Sequence, residues 1–151
     1  MKSIAAMITG LAALAGPSFA SEADTTPTDI LGAWTFQTQP YRDGVCRMSG
    51  MMHLKPDPSE AGVYACELTA VEECSDIGRS VVVQSCVARR FNSQVSIRSN
   101  IEEMLEKKME GLVYVPDNFA LTVQSANRMF GSLVSAVTAP VEFRRNLDGV
   151  S

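Results

Sequence analysis

The stretch Leu31–Phe36, LGAWTF, carries the only tryptophan of the chain and begins a series of segments in which apolar and polar residues alternate. Trp34 and Phe36 share one phase of this alternation, and Thr35 and Gln37 share the other. A period of two is typical of a β-strand with one buried face. The stretch therefore predicts a first strand whose tryptophan points inward.

Seven further segments of this kind follow, separated by turn residues such as Asp43-Gly44 and the run PDPSEAG at 56–62. They are CRMSGMMHL (46–54), VYACELTAV (63–71), SVVVQSCVAR (80–89), QVSIRS (94–99), FALTVQS (119–125), RMFGSLVS (128–135) and VEFRR (141–145). Eight short strands with regular turns favour a mainly β protein, an antiparallel up-and-down barrel that leaves no exposed sheet edge.

Between the fifth and sixth strands the apolar spacing changes from two to three or four residues. The stripe consists of Ile101, Met104, Leu105, Lys108, Met109 and Leu112. Ser99 and Glu102 have the spacing of a capping box, and Gly111 stands where a helix would end. This pattern predicts one amphipathic helix near 100–110, placed either as a lid over a barrel end or as a lateral brace.

The N-terminus has the pattern of a secretory signal peptide over residues 1–20. Lys2 precedes an apolar run from 4 to 16, and the small residues Ser18 and Ala20 supply a cleavage site. The polar residues 21–29 then form a leader, and 30–147 form one domain. We predict export to the periplasm or the exterior, with no membrane insertion after cleavage because the apolar run is shorter than the roughly 20 residues of a membrane span.

Cleavage after Ala20 removes one basic residue and leaves 12 basic against 17 acidic residues. An acidic chain without a basic run is a poor match to a polyanion, so we predict that this protein does not bind nucleic acid. The oligomeric state is left open.

Four cysteines in an exported chain predict two disulfides. If the second and third strands turn around residues 59–61, Cys46 faces Cys74; if the next hairpin turns around 76, Cys66 faces Cys86. Residues directly opposite in a hairpin are close enough for a bridge, so this pairing is preferred over the other two connectivities. It depends on register, because a slip of one residue would undo it.

Little in the sequence indicates catalysis. His53 is the only histidine and lies in the polar phase of its strand, and the acidic residues fall near a turn or on the predicted helix. There is no C-x-x-C pair and no phosphate-binding glycine loop, and the methionines are most simply core residues. We therefore predict a non-enzyme with no catalytic residues, no cofactor and no metal.

Gly32 and Trp34 on a first strand, followed by Cys46, resemble the start of calycins, the group of lipocalins, avidins and inhibitors of serralysin-type secreted metalloproteases. The resemblance covers the first third of the mature chain and is nearest to the inhibitors. It implies that Trp34 closes one barrel end against an arginine of the last strand, either Arg144 or Arg145. Parity favours Arg145, which is in phase with Phe143.

In the inhibitor family the leader enters the protease cleft, so the resemblance implies that Ser21, Glu22 and Ala23 contact a secreted zinc metalloprotease. Two other functions stay open: a carrier of a small apolar ligand, of lipocalin type, and an envelope structural or assembly module without a pocket. An eight-stranded barrel can hold one ligand or be filled by side chains. The residues expected to fill this one are Met48, Met52, Tyr64, Leu68, Phe119 and Leu121.

Overall fold

A computed structural model describes residues 29–148; the predicted signal peptide, the leader as far as residue 28, and residues 149–151 lie outside it. The strands are β1 (Gly32–Thr38), β2 (Cys46–Pro56), β3 (Val63–Cys74), β4 (Gly78–Phe91), β5 (Gln94–Glu106), β6 (Asn118–Ser125), β7 (Arg128–Val134) and β8 (Thr138–Arg145). Each strand pairs antiparallel with the next, and β8 pairs with β1 to close the barrel. The predicted eight-stranded barrel is thus confirmed.

Alternation along each strand places one set of side chains inside the barrel, where they form a single hydrophobic core. Three phenylalanines meet in its centre. The ring of Phe36 stacks on that of Phe143 at 5.0 Å, and Phe119 meets both rings edge-on at 5.3 and 5.2 Å. Such aromatic pairs add to the stabilisation from burial alone. Of the residues expected to fill the interior, all are buried except Tyr64, which is half-buried.

The predicted helix near 100–110 is wrong. Strand β5 continues to Glu106, and its pairing with β4 shifts register twice, which leaves Glu102 and Leu105 as extra residues. Each β-bulge adds one residue to the alternation. The inward positions Ile101 and Met104 are therefore three residues apart, and this spacing imitates a helical turn. None of the stripe residues is fully buried.

The disulfides join Cys46 to Cys74 and Cys66 to Cys86, which is the pairing that the hairpin geometry predicts. Both pairs lie directly opposite in the β2–β3 and β3–β4 ladders, and all four cysteine side chains are buried. In the chain-entropy model each bridge stabilises the fold by about 3 kcal/mol. Two disulfides also indicate an oxidising compartment.

The two ends of the barrel differ. We call the end that carries Trp34 and Arg145 the plug end; the chain enters and leaves the barrel there. The opposite end, the mouth end, carries the loops 39–45, 75–77, 107–117 and 135–137. In the described part of the chain, no helix is long and apolar enough to cross a membrane.

Candidate functional site

The plug end is built around Trp34, whose side chain is fully buried. The Arg145 guanidinium carbon lies 4.5 Å from the centre of the Trp34 rings, and the indole nitrogen donates to the Ile30 carbonyl at 2.9 Å. A guanidinium over an indole face gains a cation–π attraction that strengthens as water is excluded. Arg145 is therefore the closing arginine, whereas Arg144 lies outside the barrel and pairs with Glu142.

Arg145 also holds the backbone that precedes β1. Its side chain donates to three carbonyls, those of Asp29 at 2.6 Å, Ala126 at 2.7 Å and Leu31. The fork of donors on a guanidinium allows one side chain to bind several acceptors at once. Because Ile30 is fully buried between two of these anchored residues, the barrel fixes the position at which the leader ends and the domain begins.

Gly32 is required at this turn into β1. Its φ is +104°, a conformation that side chains with a Cβ rarely adopt, and a Cβ there would meet a guanidinium nitrogen of Arg145 at 3.4 Å. Of the predicted closure residues, Gly32, Trp34 and Arg145 therefore lie together at the plug end. The predicted protease-contacting residues Ser21, Glu22 and Ala23 lie outside the described residues.

The mouth end contains a buried polar network that the sequence pattern did not predict. Asp117, which is fully buried, accepts hydrogen bonds on one carboxylate oxygen from Gln84 at 2.7 Å and from Tyr114 at 2.8 Å. The Asp117 amide donates back to Gln84 at 2.9 Å, and the Ser99 hydroxyl donates to the Asp117 carbonyl at 2.7 Å. The other Asp117 carboxylate oxygen, Oδ1, has no hydrogen-bond partner among the described residues.

A second carboxylate lies beside this network. Glu72 accepts a hydrogen bond from the Tyr41 hydroxyl at 2.7 Å and forms an ion pair with Lys108, and both of the paired charged side chains are largely buried. The Lys108 amide donates to Ser80 at 3.2 Å, which attaches the long β5–β6 loop to the barrel wall. These contacts close the mouth end with polar side chains, as the indole and guanidinium close the plug end.

Burial shifts the titration of this network. The pKa of Asp117 is raised above its ordinary value of 3.8 by desolvation, against the hydrogen bonds from Gln84 and Tyr114. The pKa of Tyr41 is raised by burial and by its hydrogen bond to Glu72, and that of Tyr114 by burial and the charge of Asp117. Both phenols are consequently neutral donors at physiological pH.

The position of these polar residues in the inward phase of their strands could have revealed this network. Glu72 is in phase with the inward residues Leu68 and Cys74, and Gln84 is in phase with Val82 and Cys86. Buried polar groups need partners. However, the partners come from a loop whose path the sequence pattern does not specify.

Replacing Asp117 with asparagine is expected to change how stability depends on pH. The native parent chain binds a proton that the unfolded chain releases, so its stability falls as pH rises from about 4 through the raised native pKa. Asparagine keeps an acceptor for Gln84 and Tyr114 but cannot ionise. The variant should therefore gain stability relative to the parent between pH 4 and pH 7, measured by urea denaturation at each pH.

Asp117→Ala serves as the matched comparison for that prediction. Alanine leaves the buried donors of Gln84 and Tyr114 without an acceptor. The free energy of unfolding should therefore fall by about 2–3 kcal/mol across the pH range. A variant-to-parent difference that stays constant with pH for Asp117→Asn would contradict a titrating Asp117.

The structure assembles no hydrolytic or metal site among the residues 29–148. His53 is exposed on β2. The one group with metal-ligand spacing in this range is Cys46, Glu72 and Cys74, with ligand atoms within 4.8 Å of one another. Its two sulfurs are joined in a disulfide, so they cannot act as the thiolates that bind zinc.

Two surface depressions stand out on the described part of the molecule. One, of about 390 Å³, lies at the plug end and is lined by Asp29, Gly62, Tyr64, Arg90 and Asn92. The other, of about 930 Å³, lies on the outer face of β2, β1, β8 and β7. The barrel interior, in contrast, is occupied by buried side chains.

Comparisons with known proteins agree with the architecture. No protein-family model and no curated protein sequence matches the chain. The chain is similar to a solved structure described as a de novo designed fluorescence-activating β-barrel, at 18% identity and a TM-score of 0.50, covering 77% of this chain and 93% of that one. It is also similar to a solved structure described as EF1p2_mFAP2b bound to DFHBI, at 14% identity and a TM-score of 0.51, with the same coverage. At these identities the likeness concerns the fold.

Proposed function

We propose that this protein is an exported, non-enzymatic binding protein of the periplasm that blocks a secreted zinc metalloprotease with its N-terminal leader. The observation that carries the proposal is the anchoring of the leader's base. Arg145 binds the carbonyls of Asp29 and Leu31, and Ile30 is buried between them. An inhibitory segment gains affinity when the scaffold restricts it before binding, because less conformational entropy is then lost in the complex.

The residues beside the anchored Asp29 are of types that are common in protein contact surfaces. The depression beside Asp29 is lined by the half-buried Tyr64 and by Arg90, whose side chain donates to the Asn92 carbonyl at 2.8 Å. Tyrosine and arginine are enriched in protein interfaces. The packed interior also favours binding through the surface over binding inside the barrel.

The test is removal of the leader. A chain lacking residues 21–28 should keep its far-UV circular dichroism spectrum and its unfolding midpoint, because the anchor and barrel are retained. It should lose at least roughly 100-fold in inhibition of secreted zinc proteases that the full mature chain inhibits, since a cleft-filling segment supplies most of the affinity of such complexes. Residual proteolysis of a fluorogenic peptide is the readout.

A control leader of glycines and serines in place of residues 21–28 keeps the length and removes the side chains. It should behave like the deletion. Arg145→Met, which releases the carbonyls of Asp29 and Leu31, should weaken inhibition less than the deletion does. If the full mature chain leaves a panel of secreted zinc proteases unaffected, the proposal fails.

The second candidate is a carrier of a small apolar ligand, supported by the DFHBI-bound barrel among the structural neighbours. The adaptable side chains of Met48, Met52 and Met129 inside the barrel are residues that could reshape around a ligand. A carrier would show a co-purifying small molecule in native mass spectrometry, and the inhibitor would not. An envelope structural module is the function that remains if neither a protease nor a ligand is found.

A further inference from the structure

The depression of about 930 Å³ on the outside of the barrel, which we call the groove, is lined by residues from successive levels of four strands. At one level across the strands β2, β1, β8 and β7, pairing aligns Met51, Thr35, Arg144 and Arg128. At the next level it aligns Ser49, Gln37, Glu142 and Phe130. Arg47 lines the groove at its far end, four residues before Met51 on β2, and Pro40 and Pro140 line it as well. The groove thus has arginines at both ends and apolar side chains on both walls.

Positive charge dominates the groove of an otherwise acidic protein. Arg128 and Arg144 share one carboxylate, that of Glu142, at 2.6 and 2.8 Å. Arg47 has no ion pair within the described range, and the residue opposite it, Glu73, is bound by Arg79 at 3.7 Å. Three cations with one anion leave a net positive site whose arginines can bind further carboxylates bidentately.

The apolar walls add to this charge. Met51 on β2 and Phe130 on β7 belong to the outward phase of their strands, and their side chains are 54% and 44% exposed. Arginine, methionine and aromatic residues are the types enriched in protein interfaces. The occurrence of these residue types together on one concave face is therefore typical of a protein-binding site.

The shape of the groove is built into the backbone. Gly50 on β2 and Gly131 on β7 lie on its two flanks, where an added Cβ would overlap the carbonyl oxygens of Thr69 and Ala120 respectively. Glycines of this kind mark tight bends in barrel strands. Between these flanks, the polar side chains of Thr35 and Gln37 on β1 form the floor.

We propose that this groove binds an extended acidic segment of a partner protein, with one apolar side chain between two carboxylates. Arg47 is four residues before Met51 on β2, so it lies about 13 Å along the strands from the level of Arg144. It is also two strands away from Arg144, about 10 Å across the sheet. An extended peptide that lies obliquely across these strands has the same rise per residue, and the long side chains of glutamate and arginine cover the remaining distance. Carboxylates four positions apart can then meet Arg47 at one end and Arg144 with Arg128 at the other. The proposal is independent of the leader's role.

The probe is the peptide acetyl-Gly-Glu-Ala-Leu-Ala-Glu-Gly-amide, titrated into ¹⁵N-labelled mature chain (residues 21–151) at low salt. We expect amide shifts confined to β1, β2, β7 and β8, and a Kd that rises with salt. The same peptide with glutamine in place of both glutamates should bind about tenfold more weakly, because two partly exposed ion pairs are worth about 1.4 kcal/mol together.

The double variant Arg47→Gln/Arg128→Gln should weaken the glutamate peptide by about tenfold on the same grounds. Arg98→Gln is the matched control, since Arg98 is exposed on β5 away from the groove; it should leave Kd within about twofold. All variants change exposed side chains, and unfolding midpoints check that they fold.

Four outcomes would overturn the proposal. The first is an absence of shifts at millimolar peptide, and the second is a set of shifts centred elsewhere. The third is occupation of the groove by the chain's own leader, which would appear as groove shifts between the mature chain and the form lacking residues 21–28. Stronger competition by single-stranded oligothymidine than by the peptide would likewise reject an acidic protein segment as the occupant.

Discussion

The Trp34→Ala variant is expected to unfold with a free energy about 3–5 kcal/mol below that of the parent chain. Trp34 is fully buried, its indole nitrogen is hydrogen-bonded to Ile30, and its ring face is covered by Arg145. Truncation leaves a cavity at the plug end and removes the surface on which the guanidinium stacks. Because Arg145 also binds Asp29 and Leu31, the loss should spread to the start of β1.

Urea denaturation followed by far-UV circular dichroism is the appropriate measurement, since the variant has no tryptophan left for fluorescence. Phe91→Ala is a suitable control: Phe91 is 79% exposed, so the change should stay within about 0.5 kcal/mol of the parent. A loss below about 1 kcal/mol for Trp34→Ala would show that the plug does not contribute to the core.

Adding a single methyl group at Gly50 is expected to be almost as damaging. In Gly50→Ala the new Cβ would overlap the Thr69 carbonyl oxygen and lie 2.6 Å from two ring carbons of Phe36. The backbone oxygen belongs to the paired strand β3 and cannot move without breaking the ladder. We expect a loss of about 3 kcal/mol, at the upper end of overpacking costs.

Gly44→Ala separates this steric effect from backbone strain. Gly44 has a φ of +84° but nothing within 4 Å of an added Cβ, so alanine there should cost about 1 kcal/mol through the left-handed conformation alone. Equal losses for the two variants, measured by chemical denaturation, would contradict the close approach at Gly50.

Much of the barrel could be predicted because antiparallel neighbours are also neighbours along the chain. Alternation identified all eight strands, and hairpin symmetry placed Cys46 opposite Cys74 and Cys66 opposite Cys86. The prediction of a helix near 100–110 was wrong for a specific reason. Two β-bulges changed the spacing of Ile101 and Met104, and a bulge depends on the partner strand as much as on the residues that form it.

Sequence by itself determined the period-two pattern, the turn positions and the inward phase of Trp34, because these depend on local geometry that repeats every two residues. Only the tertiary structure decided where the polar chemistry gathers. Asp117 meets Gln84 across 33 residues, and Lys108 meets Glu72 across 36. The groove likewise exists because β8 closes on β1 and brings Arg144 beside Thr35. Ring closure joins distant parts of the chain, and no local pattern specifies which side chains it will align.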